Sequence, residues 1–154
     1  MKNYISNLNG LHVKYLIINI IISIAAYLVF LVVGDIGLDN KINMYISIIM
    51  MILILSFFII GRKKYQSELI KIKDLPFGQK LNDYQSINKK RLNSLTLITV
   101  VASIGFILSS NKLYIFFCFL SLTLILLNRS SKQKLSFELN LTQQELEKIE
   151  NPSK

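Results

Sequence analysis

Cys118 is the only thiol in this 154-residue chain, and His12 is the only imidazole. One cysteine excludes a disulfide framework and a Cys-rich metal site. One histidine excludes a His-cluster metal site and a two-histidine relay. Cys118 falls deep inside an apolar run, where a thiol is inert, so it reads as structural filler. His12 stands near Lys14 with no carboxylate close to it in sequence, which leaves a pH sensor as its one functional reading. Asp35 and Asp39 are four apart, beside Gly34 and Gly37. Two carboxylates could hold Ca²⁺ weakly, but calcium loops supply about five or more oxygens at set positions, so a polar turn is expected here. The motifs G-x-x-x-x-G-K, G-x-G-x-x-G, H-E-x-x-H and G-x-S-x-G do not occur. No catalytic residue, cofactor or metal is expected, and the chain is not read as an enzyme.

What polar chemistry remains lies inside apolar runs. Asn19 could hydrogen-bond a neighbouring helix. Thr99 and Ser103 are one helical turn apart, and Gly105 and Ser109 form a small-xxx-small pair with Ala102 on the same side. Small residues let helix backbones approach. Thr99, Ala102, Ser103, Gly105 and Ser109 are therefore expected to form a helix–helix packing face, inside a bundle or between protomers. Met44, Met50 and Met51 are pliable packing rather than a metal box.

The elements that hold these residues are four apolar blocks at 15–33, 44–60, 92–109 and 111–128. Hydrophobic residues make up 52% of the chain, and mean hydropathy is +0.46. That content excludes intrinsic disorder. A helix crossing a hydrocarbon core of ~30 Å needs ~20 residues, within a range of ~17–25. The first two blocks carry no charge and qualify outright. The last two have shorter unbroken cores, 95–108 and 113–127, and reach span length only with their polar flanks. A surface helix of a soluble protein shows an apolar stripe and a charged face. The first two blocks are apolar all round, so the chain reads as an all-α integral membrane four-helix bundle. No Asp, Glu, Lys, Arg or His interrupts the unbroken apolar cores, which counts against a proton-coupled carrier. A positive arm and the small pair Ala25–Ala26 mimic a signal peptide, but the run continues too far beyond them, and an uncleaved span is expected.

Eighteen Lys and Arg against nine Asp and Glu give a net charge of +9. Sixteen of the eighteen lie in the N-terminal arm, the 61–91 loop and the 129–154 tail; only Lys41 and Lys112 lie in the other two connections. By the positive-inside rule both termini and the long loop are cytoplasmic. Topology thus accounts for a basic pI near 9.7 that in a soluble protein would suggest nucleic acid, and none is expected as a partner. Tyr15, Tyr45 and Tyr114, each near the start of a block, are the expected interfacial anchors in a chain without Trp.

The 61–91 loop reads as a helical hairpin standing on spans two and three, broken at Pro76-Phe77-Gly78. In the tail, Thr142 and Glu145 fit a capping box, with Leu141 and Leu146 as its staple, so a short helix is expected over 143–150, ended by Asn151-Pro152. The alternation Leu135, Phe137, Leu139, Leu141 suggests an extended segment with one sticky face, which is expected to lie back on the cytoplasmic hairpin or, as the alternative, to dock a partner. Tyr84, Arg91, Phe137, Leu141 and Leu146 are the residues expected to dock a cytoplasmic partner.

Two basic-flanked spans, the loop LPFGQKLNDYQSINKKR, a tight span hairpin and the tail ELNLTQQELEKIENP together resemble uncharacterised small four-span membrane proteins of Bacteroidota. The resemblance implies a four-span fold and no activity, so it transfers no functional residue. The expectation is a multi-pass protein of a bacterial inner membrane. Beyond the lipid bilayer, its partner is another membrane protein or a second copy of itself, and it serves as an accessory, regulatory or immunity-type subunit. The alternative is a homo-oligomeric small channel or carrier, lined by the hydroxyls of spans three and four.

Overall fold

A computed structural model describes residues 2–150, with side chains from 4 to 146. The described chain is all-helical: α1 Lys2–Val33, α2 Asn40–Ile72, α3 Phe77–Ser109, α4 Leu113–Leu127, α5 Lys132–Leu139 and α6 Gln143–Glu150. Three of these, α1 to α3, are long and apolar enough to cross a membrane.

α3 is the centre. It packs on α1, α2 and α4, and half of its apolar stretch is buried. The cross-helix bonds fix directions. On α1, Tyr4 bonds to the Leu81 carbonyl, Tyr15 to Asn93 and Asn19 to Thr96, so α1 runs parallel to α3. On α2, Asn43 meets Ser109 and Glu68 meets Lys90, so α2 runs antiparallel. Between α3 and α4, Gly105 faces Tyr114, Thr99 faces Ser121 and Arg91 faces Asn128, again antiparallel. α4 thus covers the apolar length of α3, although its 15 residues reach only ~22 Å.

The helices outrun the apolar blocks because their extensions bury a second core. Helix α1 starts at Lys2, so the expected N-terminal arm is its first turns, placing Leu8 inward. Helices α2 and α3 continue past the block ends to meet near Pro76. Leu8, Leu69, Ile72, Leu81, Tyr84 and Ile87 pack together there, and Leu135, Leu139 and Leu141 of the tail complete the cluster. Eight residues cannot hold a helix alone in water. Each tail leucine buried in this core contributes about 2 kcal/mol, and that burial holds α5 and α6 in place.

The segment expected to be extended is instead α5. Leu135 and Leu139 are one turn apart and buried, while Phe137 between them is 83% exposed, which fits period 3.6 and not period 2. Ser131 caps its start by accepting from the Lys134 amide, and Asn140 closes its end in the left-handed region at φ 48°. The axis of α5 turns 87° from that of α4. The capping box forms: the Thr142 amide donates to Glu145 at 2.9 Å, and the Glu145 amide to Thr142 at 3.3 Å. The expected stop at Asn151-Pro152 lies outside the described residues.

Candidate functional site

Four helices change from apolar to polar at one height, and a belt of polar side chains ties them there. Gly61 of α2 lies so close to Ser94 of α3 that a Cβ at 61 would collide with the Ser94 hydroxyl. Ser94 Oγ donates to the Phe57 carbonyl at 3.2 Å. Arg91 Nη2 donates to Asn128 Oδ1 at 2.5 Å, joining α3 to the end of α4. Lys134 Nζ donates to the Asn128 carbonyl at 2.9 Å, which fixes the turn into α5. The Arg91 guanidinium also lies 4.2 Å over the ring of Tyr65, a cation–π contact to α2.

Just above the belt, one carboxylate gathers the hairpin and the tail. Glu138 Oε2 accepts from Tyr84 at 2.6 Å and from Tyr65 at 2.9 Å. Burial and the adjacent carboxylate keep both phenols protonated: Tyr65 is pushed up to about 12, and Tyr84 further up. Burial also lowers the Lys134 ammonium.

His12 is inside this assembly, 3% exposed. Asn88 Nδ2 lies 2.9 Å from its Nε2, the geometry of an amide donating to a neutral imidazole. Burial lowers His12 to about 4, and the cations of Lys134, Arg91 and Arg129 lower it too, against the backbone of Ile125. At neutral pH it is an uncharged packing residue.

The expected packing face lies inside the protomer. Thr99, Ala102, Ser103, Gly105 and Ser109 are all buried. Thr99 shares a 2.5 Å hydrogen bond with Ser121, Ser103 lies 3.8 Å from Cys118, and Ser109 donates back to the Gly105 carbonyl at 2.7 Å. Tyr114, expected as an outward anchor, instead lies over Gly105 with its hydroxyl on the Ser47 carbonyl at 3.2 Å. Tyr45 does face outward.

The tail lies back on the hairpin, the first of the two readings of its sticky face, and this places the candidate docking residues. Tyr84 and Leu141 are buried, and Leu146 packs on the same core, because the tail folds back over the hairpin. Arg91 is half-buried in the belt. Phe137 alone of the five stands clear. Sequence reading missed Glu138, Asn128 and the pairing of His12 with Asn88. One signal was available: Glu138 is the only acid between Asp83 and Glu145.

Among the described residues no group of three His, Cys, Asp or Glu side chains is placed to hold a metal ion. No protein-family model, curated protein or solved structure matches the chain.

Proposed function

We propose that the chain is a four-span, multi-pass protein of a bacterial inner membrane that acts without catalysis, through contact with another membrane protein. α4 counts as the fourth span, short but matched to the apolar length of α3. The charge distribution supports a cytoplasmic side for both termini and the helical extension.

The observation that carries the contact reading is the isolation of α2. This helix rests on α3 and, near its end, on α5; neither α1 nor α4 packs on it substantially. Only 6% of its apolar stretch is buried, against 50% for α3. A helix whose apolar length rests mainly on α3 leaves a long flank for a partner's span. The pore reading loses support, because the hydroxyls that would line it, Thr99, Ser103 and Ser121, are engaged between α3 and α4.

A photo-reactive residue placed at Ile49 on α2, with one at Phe119 on α4 as control, tests this in native membranes. Both positions are exposed. A single adduct with a foreign membrane protein from position 49 and none from 119 is expected. Adducts between two copies of the chain would move the reading to a homo-oligomer, and lipid adducts alone from both positions would overturn contact through α2.

A further inference from the structure

Helices α2 and α4 flank α3 and meet where Tyr114 bonds to the Ser47 carbonyl, and toward the other end of α4 a groove of about 720 Å³ runs between them. Its deep walls are apolar: Phe57 and Phe58 from α2, Ile98 from α3, Leu124 and Leu127 from α4. Its other end is cationic, with Arg62 from α2, Lys73 just past the end of α2 and Arg91 from α3. Glu138 is the one acid in the lining, and its Oε2 already accepts two tyrosine hydroxyls. Three cations against one carboxylate leave the polar end positive. Among the described residues, none of the three cations forms an ion pair. Arg91 spends Nη2 on Asn128 and one face on Tyr65, and a guanidinium carries further N–H donors.

The two ends of the groove fall at different depths. Arg62 follows the apolar run of α2 across Gly61, Arg91 immediately precedes Leu92, and Asn128 immediately follows Leu127. The cations thus begin where hydrocarbon gives way to headgroups. Phe137, on the helix that turns 87° from α4, adds an exposed aromatic at the mouth.

We infer that this groove binds one anionic glycerophospholipid from the cytoplasmic leaflet, its phosphate held by Arg62 and Arg91, with Lys73 adding positive charge about three helical turns further out, and an acyl chain laid along Phe57, Phe58 and Leu124. A soluble phosphate would satisfy only the cationic end. A zwitterionic lipid would bring a second positive charge to a site already positive. A lipid with a net negative headgroup matches both ends. Basic pockets between spans on the cytoplasmic side hold such headgroups elsewhere. The inference rests on the membrane placement proposed above, but not on the partner of α2.

The test uses the full chain in nanodiscs of phosphatidylcholine and phosphatidylglycerol, with retained lipid counted by native mass spectrometry after gentle extraction. Wild type is expected to retain phosphatidylglycerol roughly tenfold or more over phosphatidylcholine, since each nearby cation adds about a factor of five. Arg62→Gln with Lys73→Gln should bring that ratio to roughly twofold or below, because two cations are removed. Neither side chain makes a described hydrogen bond or ion pair, so the melting temperature in pure phosphatidylcholine should stay unchanged. Lys63→Gln with Lys71→Gln removes the same charge from α2 outside the groove lining and should keep the preference. Loss of the preference in this control, or displacement of the lipid by millimolar glycerophosphate, would overturn the lipid site. So would equal retention of both lipids by wild type in a protein that inserts normally. Failure to insert at all would instead overturn the membrane reading beneath it.

Discussion

The hydroxyl of Tyr84 donates to the carboxylate of Glu138 at 2.6 Å, joining residues 54 positions apart. It is the bond by which the tail closes over the hairpin, and Tyr65 duplicates it from α2 at 2.9 Å. A carboxylate that accepts two buried phenols cannot be removed cheaply, because both hydroxyls lose their acceptor.

Glu138→Ala should therefore cost about 2–4 kcal/mol, the penalty of orphaning two buried donors, and Tyr84→Phe only about 1–2 kcal/mol. The readouts are thermal stability in detergent and protease cleavage after residue 128. Glu138→Ala should expose the tail to protease while the spans stay intact. If the tail of Glu138→Ala resists protease as well as wild type, the bond does not hold it.

Gly105 is required by Tyr114. A Cβ at 105 would come within 2.7 Å of the ring, and the atoms it meets belong to a rigid aromatic face. Gly105→Ala should destabilise by about 1–3 kcal/mol through overpacking. Tyr114→Leu opens the same space, so Gly105→Ala should cost much less in that background. A double-mutant cycle with no coupling would mean that α3 and α4 do not meet there.

These two sites differ in how far sequence could reach them. The buried face of α3 was legible, because Thr99, Ala102, Ser103, Gly105 and Ser109 share one helical side and small residues mark close approach. That the face turns toward α4 rather than a second protomer was not legible, since the same face serves either. The helical character of α5 was hidden because Leu135, Phe137, Leu139 and Leu141 satisfy period 2 as well as a helix does over so short a stretch. Only the exposure of Phe137 separates the two. The choice between docking a partner and folding back on the hairpin was open for a related reason. A short apolar tail is equally adhesive to a partner and to its own hairpin, and Leu135, Leu139 and Leu141 found the hairpin.

His12 makes the assembly acid-sensitive. Its folded pKa, about 4, lies below the unfolded value of 6.5. Above pH 6.5 both states carry a neutral imidazole and stability is unaffected. Between 6.5 and 4 the unfolded state takes up the proton and the folded state does not, so stability falls as pH falls through that window. From pH 7 to pH 5 the loss from this residue should be on the order of 1–2 kcal/mol, discounted for partial solvent screening. His12→Gln should flatten the pH dependence of the melting temperature across this interval. An equal slope in the variant would assign the acid sensitivity to other groups.

The proposed orientation can be checked at one half-buried and two exposed positions in a Cys118→Ala background. Cys118 is buried, so its replacement leaves the surface unchanged and removes the only native thiol. Leu38→Cys sits between α1 and α2, Lys112→Cys between α3 and α4, and Phe137→Cys on α5. With sixteen cations on one side and two on the other, positions 38 and 112 should react with a membrane-impermeant maleimide in spheroplasts. Position 137 should react only after permeabilisation. Position 112 decides the fourth span. α4 is only ~22 Å long, and a re-entrant α3–α4 hairpin would bury or invert the turn at 112. Labelling at 38 without labelling at 112 would leave α1 and α2 as spans and remove the other two.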